Sequence, residues 1–228
     1  MTRFAIIALL AVAMAGGGEA GDMTEKLHWL GHDTFRIDGP PVVYVDPYQL
    51  GDKLPPADLI LITHDHFDHL SPADVAKIHR PGTVVVAPKE VEGKLPVPVT
   101  VISVGESKTV AGITVKAVPA YNTNKTFHPK NDGKVGFVFT VGGVTYYHAG
   151  DTDVIPEMTG LAPDVALLPV SGTYVMTADE AAKAAWQIKP KVAVPMHYGA
   201  IVGSEADAKK FARLLEGSGI QVVIKAKE

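Results

Sequence analysis

Cysteine is absent from the 228-residue chain. Without thiols the protein has no disulfide, no cysteine nucleophile and no thiolate metal ligand. Any metal ion that the chain binds must therefore be held by nitrogen and oxygen atoms.

An excess of basic residues is also lacking. The chain has 21 Lys and Arg residues against 25 Asp and Glu residues, which gives a formal net charge of -4. A protein of this charge has no global positive field to attract nucleic acid or an anionic membrane surface. We therefore expect a small-molecule substrate and no nucleic-acid partner.

Long apolar runs are scarce, and the one that stands out lies at the amino terminus. Arg3 provides a short basic start, residues from Phe4 to Ala15 are apolar, and Ala13-Met14-Ala15 resembles a cleavage site. About a dozen apolar residues are too few to cross roughly 30 Å of hydrocarbon. The pattern predicts a signal peptide over residues 1–21, no stable membrane anchor, and export, most simply to a bacterial periplasm.

Residues 22–228 are expected to form a single domain rich in β-sheet. Short runs of Val, Ile and Tyr alternate with Gly, Pro and Asp, as strands alternate with turns. Gly142-Gly143 is typical of a tight hairpin turn. The predicted strands cover residues 26–30, 34–37, 42–45, 59–63, 84–87, 99–104, 113–119, 136–141, 144–148, 165–169, 192–196 and 221–224.

Helical spacing of apolar residues is confined to three segments, residues 72–79, 178–188 and 205–216. Each follows a residue that can cap a helix, and these are Ser71, Thr177 and Ser204. Hairpins mixed with strand-to-helix crossovers predict two sheets between layers of helices, in a layered α/β or α+β domain.

The residues that can carry chemistry are concentrated where the fourth predicted strand ends. Residues 64–69 read HDHFDH and follow a continuous apolar run, which is typical of a strand buried on both faces. Extended backbone would direct His64 and His66 to the same side, with Asp68 and His69 on the turn into the next helix. Imidazole and carboxylate groups suit zinc, iron and manganese. Four such ligands in one loop favour two metal ions bridged by water or hydroxide.

The chain resembles the metallo-β-lactamase-fold hydrolase superfamily. The resemblance rests on His64-x-His66-x-Asp68-His69, on GDT at residues 150–152 and on PMHYG at residues 195–199. The segments WLGH at 29–32, VDP at 45–47 and HAGDT at 148–152 further resemble metal-dependent hydrolases related to ascorbate-phosphate lactonases. This resemblance implies an α+β fold of metallo-β-lactamase type, a four-layer αββα sandwich with the metals at one edge of the sheets.

The resemblance also implies a set of ligands for two divalent ions, with Zn²⁺ expected and Mn²⁺ or Fe²⁺ as alternatives. His64 and His66 would bind the first ion, together with a third residue. Asp68, His69 and His197 would bind the second ion, and Asp151 would bridge both. Asp68 and Asp151 are the candidates for steering a metal-bound hydroxide and passing on its proton.

The third ligand of the first ion departs from the family pattern, which has a histidine at the end of a central strand. In this chain Asn122 stands at that place, and His128 follows six residues later. We favour His128 because imidazole is the better ligand for a transition metal. Asn122, through its amide oxygen, is the alternative.

Five further polar residues lie beside these motifs. His32 is a candidate for substrate contact, and Asp65 is a candidate for orienting a ligand imidazole from outside. His148 is expected to give a hydrogen bond behind the ligands. Lys125 and Tyr198 are candidates for an electrophilic role or for contact with a substrate anion.

Together these features predict a hydrolase in which a metal-bound hydroxide cleaves a small ester, lactone or phosphodiester. One alternative is a di-iron oxidoreductase on the same fold, although His66 stands where flavodiiron proteins carry a carboxylate. The other is a non-catalytic metal-binding protein, for which the irregular Asn122 is the support.

Overall fold

The computed structural model describes residues 17–228. Residues 1–16, which hold the apolar run and cleavage site of the predicted signal peptide, lie outside the described residues. Within residues 17–228, no helix has the length and apolar character needed to span a bilayer.

Thirteen strands and four α-helices make up the described chain. The helices are α1 (Gly17–Thr24), α2 (Pro72–Ile78), α3 (Ala178–Ile188) and α4 (Glu205–Leu214). The strands are β1 (Leu27–Gly31), β2 (Thr34–Ile37), β3 (Val43–Val45), β4 (Leu59–Leu61), β5 (Val84–Ala87), β6 (Thr100–Val101), β7 (Ser107–Val110), β8 (Ile113–Pro119), β9 (Val135–Val141), β10 (Val144–His148), β11 (Val165–Pro169), β12 (Val192–Met196) and β13 (Gln221–Val222). Short 3-10 turns occur at Lys89–Val91, Lys130–Asp132 and Pro156–Met158.

The strands form two sheets that are built in the same way. The first sheet has the order β1-β2-β3-β4-β5-β6, and the second has the order β13-β12-β11-β10-β9-β8-β7. In each sheet the strands that come first in the chain pair antiparallel, from β1 to β3 and from β7 to β10. The strands that come later pair in parallel, from β3 to β6 and from β10 to β13. The carboxyl ends of parallel strands meet at one sheet edge, so the loops after β4, β10 and β12 can lie together.

Strand β4 shows how the layers pack. Leu59 and Leu61 belong to a large core that contains residues of both sheets, whereas Ile60 and Ile62 belong to a second core with Val75 of α2. A strand with buried side chains on both faces must be covered on both sides. Helices α3 and α4 contribute to the large core from the other side of the second sheet. The predicted four-layer α+β sandwich is therefore confirmed.

Most predicted elements are present, with differences at the edges. The segment predicted as a strand over 99–104 pairs only at Thr100–Val101, and the helix predicted over 205–216 ends at Leu214. Strand β7 was not predicted because its sequence, SKTV, is polar and half exposed. Helix α1 was also missed, because its glycine-rich sequence lacks helical character.

The backbone agrees with two local predictions, one for a turn and one for a helix cap. Gly142 and Gly143 form the two-residue turn between paired Val141 and Val144, with φ values of 58° and 85°. Positive φ at both central residues is the type I′ geometry that suits a hairpin. At α3, the Thr177 side chain accepts a hydrogen bond from the backbone of Glu180, as a capping box requires.

Candidate metal centre

Loops from both sheets bring the candidate ligands to one edge of the sandwich. The first sheet supplies the loop between β4 and α2, and the second sheet supplies the loops after β8, β10 and β12. The residues that these loops bring together are His64, His66, Asp68, His69, His128, Asp151 and His197.

His64, His66 and His128 form a first cluster of imidazoles. The Nδ1 atom of His66 lies 3.1 Å from Nε2 of His64 and 3.1 Å from Nε2 of His128. Burial lowers the pKa of His64 well below its usual range and lowers the pKa of His128 to about 4. These two rings are therefore neutral near pH 7, which is the form that binds a metal.

The loop that carries His128 is anchored by Asn122. The Nδ2 atom of Asn122 donates hydrogen bonds to the carbonyl oxygens of Phe127 at 2.9 Å and Tyr174 at 2.7 Å. Its backbone N–H donates to the His128 carbonyl at 2.8 Å. The structure thus places His128 beside His64 and leaves the Asn122 amide behind the cluster, where its Nδ2 lies 3.4 Å from Nδ1 of His128.

His69, His197, Asp151 and Asp33 form a second, fully buried cluster. Asp151 reaches both histidines, with Oδ1 at 3.3 Å from Nε2 of His69 and Oδ2 at 3.4 Å from Nε2 of His197. The Asp151 Oδ2 atom also lies 3.6 Å from Nε2 of His128 in the first cluster. Asp151 therefore faces both clusters, as a bridging ligand would.

The second cluster leaves buried polar atoms without hydrogen-bond partners. Among the described residues these atoms include Nε2 of His69, Nε2 of His197, Oδ1 of Asp151 and both carboxylate oxygens of Asp33. An unpaired buried polar atom costs about 1–3 kcal/mol, so a convergence of several implies a partner for them. Imidazole and carboxylate donors fit a divalent transition metal.

Charges within the second cluster strongly shift the pKa values of its histidines and of Asp151. Burial disfavours a charged His69, but Asp151 and Asp46 outweigh burial and raise the pKa of His69 well above its usual range. Burial is likewise outweighed at His197, whose pKa is raised to about 9 by Asp151 and Asp33. The histidines in turn hold the pKa of Asp151 well below its usual range, against its burial. A bound cation would replace these protons as the charge that balances the carboxylates.

A cavity of about 400 Å³ opens onto the ligands. Its polar lining comes from His66, Asp68, His128 and Asp151, and the remainder of its lining is apolar. The apolar lining residues are Phe67, Phe127, Tyr174 and Ile201.

Comparison with known families explains this arrangement. A model of the beta-lactamase superfamily domain matches residues 26–197, which include both clusters. The chain belongs to this family. The metallo-β-lactamase-like fold expected from the sequence is thereby confirmed.

Related proteins extend the likeness to nearly the whole chain. A UPF0173 metal-dependent hydrolase from Archaeoglobus fulgidus is 32% identical over 219 residues, covering 87% of this chain and 94% of the relative. The crystal structure of a protein from Parabacteroides distasonis shares 35% identity with a TM-score of 0.79, covering 87% of this chain and 91% of that one. Igni18, a metallo hydrolase from Ignicoccus hospitalis, shares 25% identity with a TM-score of 0.74, covering 88% and 94% respectively. The chain is a metal-dependent hydrolase, and the prediction of an enzyme is confirmed.

The hydrolase orients its candidate ligand histidines through hydrogen bonds on the side away from the cluster. Asp46 lies 2.9 Å from Nδ1 of His69, and its carboxylate also accepts hydrogen bonds from the N–H and hydroxyl of Thr63, at 2.8 Å and 2.6 Å. Ser171 lies 2.9 Å from Nδ1 of His197. Because Nδ1 is engaged in both histidines, Nε2 is left to face the metal centre.

Asp65 does not have the orienting role that the sequence suggested. Its carboxylate forms ion pairs with Lys94 and Lys134, and it contacts no ligand imidazole through a hydrogen bond in the described residues. The alternation of side chains explains this, because the neighbouring His64 and His66 face the cluster from the other side of the chain. Asp46 supplies the orienting carboxylate instead, and its position in the VDP motif was the signal.

Lys125 and Tyr198 lie outside the cavity lining. Lys125 forms an ion pair with the buried carboxylate of Asp153. The ring of Tyr198 packs against Trp29 with centroids 4.8 Å apart, and burial raises the pKa of its phenol to about 12. The structure therefore gives both residues structural contacts rather than the predicted contact with substrate.

His148 and His32 both contact residues of the candidate metal centre or the backbone beside it. The Nε2 atom of His148 donates to the Asp33 carbonyl at 2.9 Å, and its Nδ1 accepts from the Gly150 N–H at 3.2 Å. The Nε2 atom of His32 lies 3.0 Å from Oδ2 of Asp68, and its ring packs on His197 with centroids 4.1 Å apart. His32 thus positions Asp68, whereas His148 holds the backbone.

Proposed function

We propose that this hydrolase cleaves a small, uncharged ester or lactone that carries an apolar group, with two divalent ions held at the two clusters. The observation that carries the proposal is the contrast within the cavity. Its floor consists of candidate ligands, whereas its remaining wall, as far as the described part of the chain forms it, is apolar and includes no Lys or Arg. Binding sites of this kind take ligands whose apolar surface matches the wall.

The wall residues are unusually exposed for apolar side chains. Phe67 is 67% exposed and Phe127 is 49% exposed, and Phe127 packs edge-on against Tyr174 with centroids 4.9 Å apart. Large apolar side chains that cluster at a cavity mouth indicate a surface that an apolar ligand covers. An acyl chain or aromatic ring of the substrate would remove these side chains from water.

The surroundings favour a neutral substrate over the phosphodiester that the sequence left open. Apart from bound metal ions, the groups that recognise a phosphate are Arg and Lys side chains and backbone N–H groups at a helix terminus. Lys125, a cation of the loop that carries His128, is engaged by Asp153. An ester or lactone carbonyl needs no such counter-charge before the reaction begins.

The residues present fit two ions, with His64, His66 and His128 at one and Asp68, His69 and His197 at the other. When bound, such ions polarise a carbonyl group and acidify water, and Zn²⁺ is the simplest candidate for this chemistry. Asp68 lines the cavity floor, and although burial opposes it, the hydrogen bond from His32 and the charge on His69 lower the pKa of Asp68. Asp68 is therefore ionised near neutral pH and can accept a proton from an attacking water.

The test is a comparison of p-nitrophenyl acetate, p-nitrophenyl octanoate, a δ-lactone and bis-p-nitrophenyl phosphate. We expect turnover of the esters and the lactone, with the octanoate preferred in kcat/KM. Phe67→Ala should lower kcat/KM for the octanoate by about tenfold and change it little for the acetate, because only the longer chain reaches the wall.

Trp186→Ala is the matched control, because Trp186 is a large exposed side chain on α3 that does not line the cavity. This substitution should leave kcat/KM unchanged for both esters. A preference for the phosphodiester, or equal losses for acetate and octanoate in Phe67→Ala, would contradict the proposal.

A further inference from the structure

The tip of the hairpin between β1 and β2 is buried, although hairpin tips normally face water. His32 and Asp33 form the turn between paired Gly31 and Thr34, and they are 1% and 0% exposed. A buried carboxylate is costly unless a cation or hydrogen-bond donors balance it. Among residues 17–228, neither oxygen of Asp33 has a hydrogen-bond partner.

The backbone of this turn directs both side chains into the second cluster. The pairing of β1 with β2 is irregular between Trp29 and Gly31, and φ is 109° at Gly31 and 52° at His32. The carbonyl of Asp33 is held by His148 at 2.9 Å. The Asp33 carboxylate is therefore fixed by backbone that other parts of the site anchor.

The distances around Asp33 resemble those between ligands of one metal ion. Its Oδ2 atom lies 3.6 Å from Nε2 of His69 and 3.7 Å from Nε2 of His197, too far for hydrogen bonds. Ligand atoms with bonds of 2.0–2.2 Å to a shared ion lie about 3 to 3.6 Å apart. Asp151, which the family resemblance makes a ligand, lies 3.3 Å and 3.4 Å from the same two nitrogens.

We propose that Asp33 is a further carboxylate ligand of the ion held by His69, His197 and Asp151. The four ligand atoms of this set lie within 4.8 Å of one another, and all four residues are buried. Asp33 makes this site richer in carboxylate than the first, all-histidine cluster. Carboxylate oxygen suits Mn²⁺, whereas imidazole nitrogen suits Zn²⁺, so the two sites differ in the metal that each accepts best.

The test measures metal binding by the full-length protein and needs no substrate. Wild type, Asp33→Ala and Asp33→Asn are stripped with a chelator and titrated with Co²⁺, and bound ions per chain are counted by mass spectrometry. Affinity is measured by competition with a chromophoric chelator, and the visible absorption of bound Co²⁺ reports its coordination. We expect Asp33→Ala to weaken the binding of one ion by more than about 100-fold. This exceeds the usual effect of removing a residue that only hydrogen-bonds to a ligand.

Asp33→Asn keeps the shape of the side chain and retains one oxygen, so we expect a smaller loss and a stable fold. Asp65→Ala is the control, because this carboxylate stands between His64 and His66 in the chain but pairs with Lys94 and Lys134. The spectrum at saturating Co²⁺ decides the question. Altered bands in the Asp33 variants, with wild-type bands in Asp65→Ala, support ligation. Unaltered bands in a folded Asp33 variant overturn it, whatever substrate the enzyme prefers.

Discussion

His128 lies at the metal centre with a left-handed backbone, and it shares this conformation with three other residues of the centre. The φ values are 52° at His32, 45° at Asp46, 56° at His128 and 60° at His197. Each such residue costs on the order of 1 kcal/mol, although His and Asp tolerate the conformation better than most. Their concentration here shows that the surrounding contacts, rather than local preference, determine where these side chains point.

Replacement of His128 and Asn122 should separate the ligand from its anchor. We expect His128→Ala to lose the ion at the first cluster and to lower kcat by on the order of 100-fold or more, because one of three imidazoles is removed. Asn122→Ala removes hydrogen bonds to Phe127 and Tyr174 but keeps His128. It should retain the ion and lose less than about tenfold in activity.

Metal content by mass spectrometry and steady-state kinetics measure both effects. Added imidazole provides a further check, since it can enter the space left in His128→Ala and restore part of the activity. The opposite order, with Asn122→Ala losing the ion and His128→Ala keeping it, would show that the amide is the ligand.

For single residues, the sequence predicted those that belong to a recognisable motif. It missed those that reach the centre only through the geometry of the folded backbone. His64 and His66 were predictable because they follow a buried strand and alternate along it. Asp33 and Ser171 carried no such pattern, because a bulged hairpin and a loop bring them to the cluster. Asp65 is next to His64 and His66 in the chain, but its carboxylate pairs with Lys94 and Lys134 instead.

Strand ends are the elements that build the centre, and their positions depend on close backbone contact. Gly150 joins β10 to Asp151 with φ of 62°. A Cβ atom at Gly150 would lie 2.9 Å from the Val135 carbonyl oxygen and 3.2 Å from Cβ of Thr63. Only glycine lets the strand approach so closely on both sides.

Gly150→Ala should therefore destabilise the protein by more than its φ value alone explains. We expect the melting temperature to fall by about 5–10 °C, since overpacking adds roughly 1–3 kcal/mol to the strain of a positive φ. Gly142→Ala is the control, because φ is 58° at Gly142 but nothing lies within 4 Å of its Cβ position. Its melting temperature, followed by circular dichroism, should fall by about 2–4 °C. Equal shifts in the two variants would show that packing at Gly150 is unimportant.

The elements with strong hydrophobic patterning were also the ones that the sequence predicted well. Strand β4 is buried on both faces, and its apolar run gave its position. Strand β7 lies at the edge of the second sheet and is held by β8 rather than by a buried face, so its own residues gave no signal. Its existence depends on tertiary pairing, which local preference does not encode.

Over the whole molecule, the candidate ligands of each cluster come from both sheets. His64 and His66 follow β4 of the first sheet, and His128 belongs to a loop of the second. Asp33 and His69 likewise meet Asp151 and His197 from the opposite sheet. An ion bound at either cluster would therefore join the two sheets, and its binding free energy would contribute to the stability of the sandwich.

Metal removal should lower stability, and the loss should grow at alkaline pH. Without metal, the raised pKa of His197, about 9 against about 6.5 in the unfolded chain, contributes stability below pH 6.5. This contribution is lost as pH rises through 9, and His69, whose pKa is also raised, acts in the same direction.

We therefore expect the melting temperature of chelator-treated protein to fall between pH 6.5 and 9. The metal-loaded protein should show no such fall, because neutral imidazoles bind the ion and metal affinity increases as protons are removed. Calorimetry across this pH range measures both forms. Parallel curves for the two forms would mean that these histidines do not titrate as the buried cluster implies.

Because both sheets contribute residues to the centre, the sequence of such a protein can vary more freely in some parts than in others. Neither the part of the chain that forms the first sheet nor the part that forms the second contains a full set of ligands. A gene fragment that encodes one half would lack part of each candidate ligand cluster. Variation in this lineage is thus best accommodated by exchange of the loops around the cavity, such as those bearing Phe67 and Phe127, on a pair of sheets that is inherited intact.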